Sequence, residues 1–370
     1  MINHDSLRYQ IGISLVTGIG PVLIRRLITY CGEPEGVFKE KHSGLLKVPG
    51  FGEKLARQLR NREILDQADK EIEYICRNEI TPVFYLDKDY PRRLRQCEDA
   101  PVIFYLKGNT SLDRPKVLSI VGTRNATGYG KELCNNLIRD LAENHSDLLI
   151  VSGLAYGIDI CAHSAALEQN LDTVAVLGHG LSVIYPSLHK GIAKKITGQG
   201  ALLTEFPSSE IPDAPNFVRR NRIIAGLADA TVVVESGQKG GALITADIAN
   251  SYNRDVFAFP GRVKDKCSVG CNWLIKNNRA ALIEDFSDLE YMMGWQNEKK
   301  PAGTQKKLFV DLDDDEKLIM KSLEEADELS IDQIAARCKI LVSKISYLLI
   351  NLEFNGLVKC LPGKLYRKTM

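Results

Sequence analysis

The sequence predicts an α/β protein: an extended Rossmann-like, doubly wound parallel sheet between a helical helix-hairpin-helix (SAM-like) domain and a C-terminal winged helix. Three observations carry this. Apolar runs ending in glycine turns alternate with amphipathic stretches from Val117 to Phe259, as in βα units on a parallel sheet. Two matched glycine hairpins punctuate residues 1–80. A pattern of three helices followed by a β-hairpin closes the chain over 311–370.

The 370 residues suffice for two or three domains, and a hydrophobic share of 44% with 26% charged residues is that of a soluble globular protein. A net charge of +1 excludes a simple polycation but hides asymmetry: acids crowd Asp311–Glu328, arginines crowd positions 219–222. No apolar run approaches the roughly 20 residues that span a bilayer, and MINHDSLRYQ lacks a basic-then-apolar signal pattern. A cytoplasmic protein with no membrane partner is expected. The nine cysteines form no CxxC pair, and Cys267 and Cys271 lack a nearby histidine or second pair. Neither a metal nor any other cofactor is expected.

In the first domain, Val16-Thr17-Gly18-Ile19-Gly20-Pro21 and Val48-Pro49-Gly50-Phe51-Gly52-Glu53 each lead into an amphipathic helix. This is the helix–hairpin–helix pattern, whose freed N–H groups can meet a DNA phosphate irrespective of sequence; such pairs also serve as protein-interaction modules. Residues 81–108 supply two short apolar strands expected to extend the edge of the following sheet.

The sheet domain is expected over 81–295, with strands near Val117–Val121, Leu148–Val151, Thr173–Leu177, Ala201–Thr204, Thr231–Glu235 and Val256–Phe259. Ligands bind outside the carboxyl ends of such strands. GTRN, SGLAYG, GHG and ESGQKGG all fall there. The most informative stretch is Asn216–Thr245. It joins Phe217, Arg219, Arg220, Asn221 and Arg222 to a buried strand and a loop, Ser236–Gly241, that opens a helix. Loop and first-turn N–H groups without intrahelical acceptors, beside arginines, make an anion site. A dinucleotide fingerprint is absent: the first strand ends GTRNATGYG, not G-x-G-x-x-G, and no P-loop spacing occurs. Cations beside an aromatic face suit single-stranded nucleic acid, whose bases stack in a sequence-tolerant way.

Catalytic candidates are thin. Ser152 lies in no nucleophile elbow, His163 and His179 are candidate bases, and Asp159 is expected to brace its glycine-rich turn. Glu235, at a strand end, is the best candidate acid, and the structural alternative is that it holds the arginines by ion pairing. Beyond Trp295 a polar, basic segment at 296–310 reads as a linker. In the winged helix over 311–370, the third helix offers only Lys344 as a cation and the first is acidic, so duplex binding and a protein contact both remain open.

Taken together, VGTRNATGYG, VSGLAYGIDICAH, TVAVLGHG with Tyr185-Pro186, LLTEFP, NFVRRNRIIAGLADATVVVESGQKGGALITADIA and VFAFPG resemble the DNA-processing protein A (DprA, or Smf) family over nearly the whole chain. The resemblance implies a non-catalytic protein that binds and protects single-stranded DNA in natural transformation and recombination and helps load the RecA recombinase. It also implies a homodimer formed through the Rossmann-like domain and contact with single-strand-binding protein. Carried onto this sequence, the DNA-binding positions are Gly122, Thr123, Arg124, Gly153, Phe217, Arg219, Arg220, Asn221, Arg222, Lys239, Gly240 and Gly241. Two departures stand out. The family's Lys-Ser-Gly-Ser loop is Lys239-Gly240-Gly241-Ala242 here, and Val218 replaces the proline that usually follows the phenylalanine. A nucleoside-monophosphate phosphoribohydrolase of the lysine-decarboxylase-like type is the competing enzyme reading. Its PGGxGTxxE loop would need a glutamate that GGALITAD lacks.

Overall fold

The computed structural model describes residues 4–296, 312–326 and 328–369. All but the first residue of the expected linker lies outside them. The described residues divide into two compact units: everything up to Phe286 except Asn253–Asp255, and those three residues with everything from Ser287 onward.

The larger unit is built on nine strands: β1 (Thr81–Phe84), β2 (Ile103–Gly108), β3 (Lys116–Val121), β4 (Leu148–Ser152), β5 (Asp172–Val176), β6 (Ala201–Thr204), β7 (Ala230–Val233), β8 (Asp255–Ala258) and β9 (Ala281–Leu282). Their order in the sheet is β1-β2-β6-β5-β4-β3-β7-β8-β9. From β6 through β5, β4 and β3 to β7 all neighbours are parallel. Strands buried on both faces are near-continuous apolar runs; Val117, Leu118, Ile120, Leu149, Ile150, Val174 and Val232 are all fully buried. The chain leaves β3 toward β4 on one side and leaves β7 toward β8 on the other. The carboxyl ends of β3 and β7 therefore flank a topological switch point, where open α/β sheets bind ligands.

The segment after residue 80 extends the sheet edge as the sequence predicts. β1 and β2 are antiparallel, and β2 pairs with β6. Side chains alternate between faces: Val83 and Phe104 join the central core, whereas Phe84, Ile103 and Tyr105 join the core of the helical layer. In that layer the two glycine hairpins match in detail. Gly18 and Gly50 have φ of 85° and 87°, a conformation glycine adopts at no steric cost. Each turn leans on the helix of the other hairpin: a Cβ on Gly18 would lie 3.6 Å from Leu55 Cδ2, and one on Gly50 3.8 Å from Leu23 Cδ1. Glu71, buried on helix Glu63–Arg77, accepts hydrogen bonds from the Ser208 N–H and hydroxyl and so ties this layer to the segment following β6.

In the smaller unit, helices Asp314–Glu324, Ile331–Cys338 and Val342–Phe354 precede the hairpin β11 (Val358–Leu361) and β12 (Leu365–Lys368), and β10 (Leu329–Ser330) adds to β12. Asp313 with Glu316 and Ser330 with Gln333 form capping boxes at the first two helix starts. This is the predicted winged helix. Its third helix is not a basic reader: Lys344 is paired with Asp315, and Tyr347, Ile350 and Phe354 are exposed.

Candidate nucleic-acid interface

Three strand-end segments close on one another at the switch point. The Thr123 N–H, after β3, donates to the Glu235 carbonyl, and the Ile158 N–H donates to the Thr123 carbonyl. These approaches require glycine. A Cβ on Gly122 would stand 2.4 Å from Ile158 Cγ1, and one on Gly157, whose φ is 81°, would stand 2.1 Å from the Thr123 carbonyl oxygen. The result is a groove of about 700 Å³. Of the positions singled out from the sequence, Gly122, Thr123, Arg124, Phe217, Arg220, Asn221, Lys239, Gly240 and Gly241 line it.

Helix Ala214–Leu227 supplies one wall. Phe217, Arg220, Asn221 and Ile224 all reach the groove; the spacing i, i+3, i+4, i+7 places them on one helical face. Phe217 is half-buried. Its ring packs against Tyr185 at 5.7 Å between centroids and meets His179 edge-on at 6.4 Å, while the Arg124 guanidinium stands 6.0 Å from its centroid. Gly178 permits this placement, because a Cβ there would lie 2.7 Å from Phe217 Cδ1. Gly178 stands in the strand-end GHG turn, whereas Tyr185 carries no local signature and stands only among the motifs of the resemblance.

Arg220 is buried behind this wall. Its guanidinium donates to the Val176 carbonyl and faces Asp159 across Gly153, where a Cβ would stand 2.3 Å from Arg220 Nη1 and 2.4 Å from Asp159 Oδ2. Gly153 thus makes room for the pair, and Asp159 braces its turn through the Ala155 N–H as expected. Burial pulls Arg220 down to about 10 against the support of Asp159, with the Arg124 charge adding to the fall; it stays cationic at neutral pH. Arg124 and Lys239, by contrast, are exposed and have no salt-bridge partner among the described residues. Facing them is the start of helix Gly241–Ser251, where the Leu243 N–H turns back to the Gly240 carbonyl and the Gly241 and Ala242 N–H groups precede the first i→i−4 bond of the helix. The Asn221 amide donates to the Gly241 carbonyl at 3.5 Å and links this loop to the wall. The arrangement can hold an anion with two free cations and backbone donors, beside an aromatic face.

Arg219 and Arg222 lie elsewhere. Both pair with Glu205, at 2.8 and 2.6 Å, and the Glu205 side chain is only 4% exposed. Arg219 also stands 5.4 Å from the centroid of Phe206. The expectation for Glu235 is corrected. It pairs with no arginine among the described residues; its carboxylate accepts the Thr127 N–H at 2.9 Å and the Thr127 hydroxyl, at the start of helix Gly128–Asn144. A helix N-terminus favours an anion there. Glu205, the carboxylate that does hold arginines, sits within LLTEFP and carries no local signature.

The catalytic candidates are internally committed. The Ser152 hydroxyl is fully buried and donates to the Ile120 carbonyl. His163 is fully buried between Thr173 and the Gly153 carbonyl, and burial lowers its pKa to about 4, so it is neutral. His179 is buried and bonds the Gly180 carbonyl.

Residues 81–294 match the family model of DNA recombination-mediator protein A, and residues 305–364 match the DprA winged helix domain. Protein Smf of Synechocystis sp. is 32% identical, over 97% of this chain and 98% of its own. DNA processing protein DprA of Streptococcus pneumoniae is 36% identical over 68% of this chain and 95% of its own. The crystal structure of that streptococcal protein aligns with a TM-score of 0.63, covering 77% of this chain and 97% of that one at 34% identity. A structure of DNA processing protein A from Helicobacter pylori, described for its single-stranded DNA binding mode, aligns with a TM-score of 0.53 at 28% identity, over 59% of this chain and 96% of that one. Sheet, groove and winged helix, together with these matches across nearly the full length, make the chain a member of the DprA/Smf family.

Proposed function

We propose that this protein binds single-stranded DNA in the groove at the β3–β7 switch point, protects it, and helps load the RecA recombinase on it during transformation or recombination. The observation that carries the reading is the placement of two unpaired cations, Arg124 and Lys239, and the first-turn N–H groups of helix Gly241–Ser251 around the half-buried ring of Phe217. Cations track a backbone while an aromatic face receives bases. Gly122, Thr123, Gly240 and Gly241 would offer backbone to phosphate; Arg220, Asn221 and Gly153 would hold the wall. Arg219 and Arg222 would act through Glu205, with exposed Arg219 reaching a neighbouring phosphate. Family membership supports a homodimer through the Rossmann-like domain and contact with single-strand-binding protein.

The proposed role is non-catalytic: the candidate groups Glu235, Ser152 and His163 are engaged in hydrogen bonds within the fold, which supports that reading. A mobility-shift series with matched single- and double-stranded oligonucleotides tests the reading. Expected is a preference for the single strand, with log Kd rising linearly with log salt. Equal duplex affinity, or indifference to salt, would refute it. Release of free base from nucleoside monophosphates would refute the non-catalytic assignment.

A further inference from the structure

Beside the groove, helix Gly128–Asn144 packs on helix Ile158–Glu168, and two thiols meet between them. Cys134 is fully buried. Cys161 is half-buried and opens on an adjoining cavity of about 480 Å³ that shares Arg124 with the groove and is walled also by Lys131, Asn135, Tyr156, Gly157 and Glu168. Its sulfur lies 3.7 Å from the Lys131 carbonyl and 3.2 Å from Asn135 Oδ1, on the turn of the facing helix that carries Cys134. Cys134 lies three residues after Lys131 and one before Asn135, on the stretch of helix that the Cys161 sulfur touches, and the two thiols influence each other's proton.

That proximity makes the pair unequal. It lowers the pKa of Cys161, with the Lys131 ammonium assisting against burial, and it raises Cys134 well above the ordinary thiol value, in the same direction as burial. The proton is therefore held more tightly on Cys134 than on Cys161, which makes Cys161 the readier nucleophile of the two. As a thiol, Cys161 donates to the Asn135 oxygen; as a thiolate it requires a donor. The exposed Asn135 amide supplies one by turning over, since its oxygen and nitrogen are interchangeable in shape. Burial instead raises Cys31, Cys267, Cys271 and Cys360. Thiolate character and access together select the reactive cysteine.

We propose that Cys134 and Cys161 form an oxidisable dithiol, converted to a disulfide by a hydroperoxide that enters the cavity beside Cys161. The Cys161 thiolate attacks the peroxide; an S–O bond forms, the O–O bond breaks, and the leaving oxygen takes a proton from solvent to become water or an alcohol. Cys134 then attacks the sulfenic sulfur. The S–S bond forms, the S–O bond breaks, and the hydroxyl departs with the Cys134 proton as water. Two sulfurs give up two electrons and the peroxide accepts them. The bridge would tie the helix that follows the Arg124 turn to the helix that follows the Gly153–Gly157 turn. The site stands on its own geometry and does not depend on what the groove binds.

The test uses the full chain, reduced and then exposed to graded hydrogen peroxide, followed by alkylation in denaturant and peptide mapping without reductant. Free thiols are expected to fall from nine to seven (nine minus the two bridged), with one linked peptide joining Cys134 to Cys161 and full return on adding dithiothreitol. Cys161→Ser, a change at the accessible position, should abolish the link. Phenylarsine oxide, which bridges paired thiols, should shield two cysteines from alkylation in the native chain and none in Cys161→Ser. The proposal is overturned if Cys161 goes on to sulfinic acid while Cys134 stays free, if a different pair is joined, or if arsenical shielding persists in Cys161→Ser.

Discussion

Arg220 and Arg222 stand two residues apart on one helix, both buried and each near a carboxylate, yet they belong to different parts of the molecule. Arg220 faces the groove with Asp159 behind it; Arg222 points to the other side, where Glu205 holds it together with Arg219. Arg124 and Lys239 differ from both in being exposed and without a salt-bridge partner among the described residues. The contrast separates three uses of positive charge. Free cations are available to a ligand, a buried cation facing Asp159 supports them, and a buried salt-bridged one organises the fold. Counting arginines in a motif conflates the three.

The largest expected effect strikes the structural pair. Glu205→Ala leaves Arg222 buried without its partner and should cost about 3–5 kcal/mol of stability, read as a fall in urea midpoint. If stability holds and only DNA affinity falls, the division between paired and free arginines is wrong. Next comes Arg124→Ala. Losing a charge-assisted contact of about 1.5–3 kcal/mol should raise Kd roughly ten- to a hundredfold, with the unfolding midpoint unmoved. The slope of log Kd against log salt should shrink by about 0.7 per lost phosphate contact. Phe217→Ala should weaken binding by roughly 1–3 kcal/mol per stacked base while leaving that slope intact, which distinguishes the ring from the cations around it.

A smaller effect concerns pH. Burial holds Asp159 above its ordinary value of 3.8, although Arg220 opposes the rise. A carboxyl whose folded pKa is raised binds its proton more tightly when folded. Its contribution to stability is full below the unfolded value and is lost as pH rises through the folded one. Acidification through that window should also strengthen DNA binding, because the wall of the groove sheds a negative charge. Asp159→Asn should flatten both dependences in a titration of unfolding midpoint and Kd. The smallest effect is expected from Gly240→Ser, which restores the family's hydroxyl. A Cβ there would stand 2.5 Å from the Ser236 hydroxyl oxygen, a group that can rotate away. A gain in affinity of about 0.5–1.5 kcal/mol in the same assay would show that backbone alone underfills the anion site.

Much of this was legible because local rules and the global fold agree. The βα alternation fixed the strands, and the glycine pairs fixed both helical hairpins. Helical spacing already divides the arginines, since positions 219 and 222 share a face from which 220 is turned away. What periodicity does not reveal is the partner across space. Glu205 comes from the end of β6, and nothing local distinguishes it from Glu235, which a helix N-terminus claims instead. Phe217 was legible as an aromatic beside cations, but its depth depends on Gly178 and Tyr185, each from another turn. The Cys134–Cys161 contact joins two helices and has no sequence spacing to announce it.

The sheet also guards itself against unwanted growth. An open sheet offers unpaired N–H and C=O groups at each margin, a template on which a stray strand can dock and seed aggregation. At one margin β1 is four residues long, and Pro82 removes a donor from the row. Phe84 is also buried against the helical layer. At the other margin β9 has only two residues. A nine-stranded sheet that ends in a proline-bearing strand and a two-residue stub resists polymerising edge to edge.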